Sequence, residues 1–80
     1  MTIQEKYQNT FSLEGAIKNA IEFEKELGCQ ALVTKNRETG RFAHYNGVFY
    51  MELVTPSSRL FKMREYLGYV ESGKWTPYVA

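Results

Sequence analysis

Hydrophobic and polar positions change their period along this chain. From Leu13 to Leu27 the apolar residues Leu13, Ala16, Ile17, Ala20, Ile21, Phe23 and Leu27 recur at helical spacing, while Lys18, Glu22, Lys25 and Glu26 fill the opposite side. Ser12 is a good N-cap, Phe11 before it is placed to pack on Ala16 as a hydrophobic staple, and Glu14 suits the first turn. Gly28 is the natural stop. These signals predict a helix from near Ser12 to Gly28. Glu24 breaks its pattern, falling near the centre of the apolar arc. It must either find a partner or lean past the end of the core into water.

Beyond Gly28 the period shortens. Ala31, Leu32, Val33 and Thr34, within Gln30 to Lys35, read as a short strand, and Asn36 to Gly40 reads as a turn with Gly40 left-handed. A three-residue and a four-residue loop both fit, and they send opposite sets of side chains to the core. The stretch Arg41 to Val54 then alternates on either side of Asn46 and Gly47, a dipeptide suited to a type I′ turn, and predicts a two-residue hairpin. In that register Tyr45 faces Val48, His44 faces Phe49 and Arg41 faces Glu52. Phe42, His44, Phe49, Met51 and Leu53 form its core face, and Arg41, Ala43, Tyr45, Val48, Tyr50 and Glu52 the other.

Thr55 and Pro56 resemble an N-cap and a first helical position, so a second helix is expected from there to Leu67. Its apolar stripe is Leu60, Met63 and Leu67, its outer side is basic through Arg59, Lys62 and Arg64, and Gly68 stops it. The tail predicts a small hairpin: Tyr69, Val70 and Glu71 turn at Ser72 and Gly73, with Lys74 returning opposite Glu71. Pro77 confines the last segment to an edge. The segment from Met1 to Asn9 is expected to be a loose lead-in or an edge strand. The whole is an α+β domain over residues 1–80: helix, three-stranded antiparallel sheet, helix, then a short C-terminal hairpin (α-β-β-β-α-β-β).

Composition narrows the function classes. Eighty residues carry ten basic and nine acidic side chains, a formal net charge of +1, so bulk attraction to nucleic acid or an anionic membrane is not implied. No apolar run is long enough to span a bilayer, and the polar start of the chain is unlike a signal peptide. One Cys and one His rule out an intrachain disulfide and Cys-based or paired-His metal clusters, and no cofactor is expected. A cytoplasmic protein is the expectation. Aromatic residues reach 15%, more than so small a core needs, and exposed Tyr and Trp suit interfaces.

Catalysis is poorly supplied. The chain contains no Asp, so a triad or acid–base dyad would need Glu, Tyr or the single His and Cys. Cys29 follows a helix C-terminus, where the dipole disfavours a thiolate, and is expected to be a small buried hydrophobe. His44 is expected in the core, bonded to a backbone carbonyl or to Glu24. The glycines are isolated and make no phosphate-binding loop. A non-enzyme is the reading.

Binding is better supplied. Tyr66, Tyr69, Trp75 and Tyr78 crowd the C-terminal third beside Arg59, Arg64 and Lys74, and these residue types most often dominate interface energies. A protein partner is therefore expected, with a homodimer as a related form. The alternative is a nucleic-acid or nucleotide ligand stacked on Tyr45 and Tyr50, with Arg41 and Arg37 meeting phosphate on an open sheet face. The order helix, three strands, helix resembles the double-stranded-RNA-binding domain, and that resemblance implies a basic second-helix start, where Arg59 and Lys62 stand. In size and style the chain also looks like the small accessory proteins that phages and mobile elements use to block host machinery, which implies an inhibitor of a host protein machine.

Overall fold

The computed structural model describes residue 10 and residues 12–79, so the lead-in and the Phe11 staple lie outside the described residues. Helix α1 spans Leu13–Leu27. The Ser12 hydroxyl accepts the Gly15 N–H at 3.3 Å, and Gly28, at φ 69°, returns its N–H to the Glu24 carbonyl at 2.7 Å. Both ends stand where their cap residues placed them. Ala16, Ala20 and Phe23 are buried on its inner face, and Leu13 and Leu27 overhang it exposed.

Strands β1 (Ala31–Asn36) and β2 (Phe42–Asn46) pair antiparallel, as the turn between them predicts. The four-residue loop is the one formed: Asn36 donates its N–H to the Arg41 carbonyl at 2.7 Å, and its side-chain oxygen accepts the N–H groups of Glu38 and Thr39 at 2.8 and 2.9 Å. Gly40 is left-handed at φ 76°. An Asn that bonds its own turn fixes the loop length, and the register follows.

The chain next makes a 3₁₀ turn (Gly47–Phe49) and two short helices, α2 (Tyr50–Val54) and α3 (Arg59–Met63), before β3 (Arg64–Glu71) and β4 (Lys74–Pro77). Among the described residues the four strands are all antiparallel, in the order β2-β1-β3-β4. The α+β class, the leading helix, the antiparallel sheet with helical segments and the terminal hairpin are all present. In that hairpin Glu71 pairs with Lys74, and Pro77 ends an edge strand.

The boundaries between Asn46 and Glu71 differ from the sequence reading. Asn46 is extended (φ −76°, ψ 166°), and its side-chain oxygen accepts the Val48 N–H at 3.1 Å, so it caps a helical turn instead of entering a type I′ turn. The Asn46–Gly47 hairpin is therefore not formed. Thr55 ends α2, and the next N-cap is Ser58, whose hydroxyl accepts the Leu60 N–H at 3.2 Å. The expected long helix stops at Met63. Residues 64–71 hold Tyr66, Tyr69 and Val70, which favour strand, and Gly68, which would weaken a helix interior by about 1 kcal/mol.

Placing β1 between β2 and β3 buries it on both faces. Ala31 and Val33 join Phe42, Val70 and the α1 residues in one core, while Leu32 joins Leu53 and Tyr66 in a second, under the helical segments. An apolar run without alternation is what a doubly covered strand requires. His44 lies in the first core, its Nε2 2.9 Å from the Ala16 carbonyl oxygen. A carbonyl only accepts, so Nε2 carries the proton. The core histidine bonded to a backbone carbonyl is found.

Candidate interaction surface

The face opposite α1 collects tyrosines, and a bulge in β3 is what gathers them. Thr34 pairs with Tyr66 and Leu32 with Tyr69, although the tyrosines are three residues apart, because the register slips where Leu67 is inserted. One extra residue re-phases the strand, so Tyr66 and Tyr69 share a face that simple alternation would have split between them. Tyr66 is 8% exposed. Tyr50 of α2 meets it edge-on at 5.6 Å between centroids, and Tyr78, just past β4, lies against it at 4.9 Å. Burial first, and then the neighbouring Tyr50, Tyr69 and Tyr78, push the Tyr66 hydroxyl up to about 12.

Beside Tyr66 lies a cleft of about 310 Å³ between β3 and the helical segments, lined by apolar Leu53 and Phe61 and by Arg37, Glu65 and Tyr78. Arg37 is fixed there. Its Nε donates to the Phe61 carbonyl at 3.2 Å, and its guanidinium sits 5.4 Å from the Phe61 ring centroid. Apart from Leu13 and Leu27, the large hydrophobic side chains exposed among the described residues come from this layer and the C-terminal segment: Val48, Tyr50, Met51, Met63, Tyr78 and Val79.

No protein-family model, curated protein or solved structure matches this chain.

The residues expected at a protein interface divide between the two faces. Tyr66, Tyr69 and Tyr78 are together, with Tyr66 as buried support for the others. Arg64 reaches across the same face, its Nη1 3.5 Å from the Thr34 hydroxyl and its guanidinium 5.8 Å from the Tyr45 ring centroid. Arg59 is exposed at the start of α3, in a shallow depression with Glu52 and Met63. Trp75 stands apart. It packs on the α1 side against the first core.

The nucleotide set is not assembled. Tyr45 lies on β2 against Phe49, Tyr50 lies on α2 against Tyr66, and they are not the diagonal neighbours a hairpin would make them. The open sheet face expected there is covered by α2 and α3. Arg37 is held on Phe61, and Arg41 is exposed just before β2. The likeness to a double-stranded-RNA-binding domain loses its basis as well, since Arg59 and Lys62 belong to the short helix α3 and the chain returns directly into β3. Cys29 is exposed rather than buried, because α1 ends beyond the edge of the core. Among the described residues no group of three His, Cys, Asp or Glu could hold a metal, and no helix is long and apolar enough to cross a membrane.

Sequence reasoning missed Tyr50 and Arg37 as parts of the Tyr66 site. The alternating pattern reads Tyr50 as part of a strand, and nothing local links either residue to β3. The Arg37–Phe61 pair rests on packing between a turn and α3, for which no spacing rule exists.

Proposed function

We propose that this chain is a non-enzymatic protein-interaction module that binds its partner through the surface built on Tyr50, Tyr66 and Tyr78. The observation that carries the reading is the packing of two half-exposed rings, Tyr50 at 39% and Tyr78 at 44%, edge-on and tilted against a buried third. Rings held in this way lose little further freedom on binding and present large apolar area with a polar tip, as interface anchors do. Met51 and Met63 add adaptable apolar contact in the same layer, and Arg59 and Arg64 supply charge around it. Occupying a partner's surface, as an inhibitor or adaptor in the cytoplasm would, is the mode of action this arrangement suits, including inhibition of a host machine by a phage or mobile-element protein.

Native mass spectrometry of the gently purified protein tests the reading. The expected spectrum contains a complex with a second protein chain, another copy of this one included. Tyr78→Ala should lose that complex at unchanged circular dichroism. A retained nucleotide or oligonucleotide, kept in Tyr78→Ala and lost in Tyr45→Ala, would overturn the proposal in favour of nucleic-acid binding.

A further inference from the structure

The cleft beside Tyr66 holds two hydrogen-bond donors with unused capacity. Tyr66 is more than nine-tenths buried yet lines the cleft, and among the described residues its hydroxyl has no hydrogen-bond partner. Arg37, exposed at the rim, spends only Nε on the Phe61 carbonyl, which leaves the two terminal nitrogens of a guanidinium whose central carbon lies 5.4 Å from the Phe61 ring centroid. A guanidinium tethered through Nε, with two free amino groups, matches the two oxygens of a carboxylate, and a phenol can donate to the same group. The ligand these donors select is an acceptor with negative charge.

Size and the remaining walls narrow it. A cleft of about 310 Å³ is at the small end of ligand pockets, room for one or two side chains rather than a large cofactor. Glu65 lines the same cleft. Its carboxylate opposes a multiply charged anion such as phosphate, but it can accept a backbone N–H from an extended peptide. Phe61 and Tyr78 offer aromatic surface beside the donors.

We propose that the cleft receives an acidic residue of the protein partner, its carboxylate bound by Arg37 and Tyr66 and the neighbouring apolar residue packed on Phe61 and Tyr78. The proposal rests on the interaction-module reading and names the partner's anchor chemistry.

Magnetic-resonance titration of the isotope-labelled full chain with two capped dipeptides, acetyl-Phe-Glu-amide and its neutral counterpart acetyl-Phe-Gln-amide, tests it. The acidic peptide should shift the signals of Arg37, Phe61, Tyr66 and Tyr78, and the neutral one should bind roughly tenfold more weakly, the usual worth of a charge-assisted hydrogen bond. Tyr66→Phe removes one oxygen and no packing, so it should weaken the acidic peptide several-fold at an unchanged melting temperature. Arg37→Lys should weaken it as well, because the charge stays while the fork is lost. Equal affinity for the two peptides, shifts confined to other surfaces, or no binding of the acidic peptide at millimolar concentration would overturn the assignment. If the acidic peptide fails while the native complex still forms, the anchor chemistry falls and the module reading stands. Peptide binding without any native complex supports the cleft and removes the broader reading.

Discussion

Glu24 of α1 holds Gly73 of the terminal hairpin: one carboxylate oxygen accepts the Gly73 N–H at 2.8 Å, and the other accepts the Ser72 N–H at 2.6 Å. Ser72 at φ 53° and Gly73 at φ 75° are the two central residues of a type I′ turn, whose N–H groups point away from the ladder. The carboxylate that breaks the helix pattern therefore ties the first helix to the last turn. Glu24→Ala should lower stability by roughly 1–3 kcal/mol, with Glu24→Gln intermediate because its amide keeps one acceptor. Urea denaturation gives the size of the loss. Faster hydrogen exchange at Ser72 and Gly73, with the β1–β2 amides unaffected, locates it.

Gly68 carries a different constraint on the same hairpin. At φ 152° its backbone suits only glycine, and an added Cβ would collide with the Thr76 carbonyl and lie 2.7 Å from Trp75 Cη2 and 2.9 Å from Pro77 Cα. Two of those neighbours are backbone, which cannot step aside. Gly68→Ala should destabilise by about 2–4 kcal/mol and detach β4. Trp75→Ala should itself cost about 2–3 kcal/mol by opening the α1-side core. The double variant should recover none of the Gly68→Ala loss. A recovery in the denaturation midpoint would mean that the indole, and not the β4 backbone, sets the limit.

Where a cap or turn residue decides the local structure by itself, the fold was legible in the sequence. Ser12 and Gly28 bracket α1, Asn36 and Gly40 shape the first turn, and Ser72–Gly73 with the Glu71–Lys74 pair marks the last hairpin. Legibility fails between Asn46 and Leu67, and in the first part of that stretch the apolar residues satisfy two periods at once. Phe49, Leu53 and Val54 fit one face of a helix, and Phe49, Met51 and Leu53 fit one face of a strand. The choice is made by tertiary burial, because as helical turns residues 47–54 lay Phe49, Leu53 and Val54 over Leu32 and Tyr66 in the second core. The candidate site was legible only as composition. A surplus of tyrosines was visible, but the bulge at Leu67 that puts Tyr66 and Tyr69 on one side leaves no mark in a single sequence.

Asn46 provides a direct test of that choice. As an N-cap it needs a side-chain acceptor, so Asn46→Asp should be neutral, Asn46→Gly should cost a few tenths of a kcal/mol and Asn46→Ala about 1 kcal/mol. A type I′ turn at this position would rank them differently, with glycine the best replacement. Thermal or urea midpoints of the three variants give the order.

Tyr66 makes the stability depend on alkaline pH. Its hydroxyl titrates near 12 in the folded chain and near 10 when unfolded, so below about pH 10 both states hold the proton and stability is unaffected. Between those values the unfolded chain has released its proton and the fold has not. The unfolded state then binds fewer protons, and stability falls as pH rises, levelling off once pH passes about 12. The loss is on the order of 1 kcal/mol, because solvent reaches the cleft edge of the ring and screens the neighbouring tyrosines. Urea midpoints taken from about pH 9 to about pH 12 should show a decline in the native sequence that is shallower in Tyr66→Phe. Identical slopes in the two proteins would place the alkaline sensitivity on other groups.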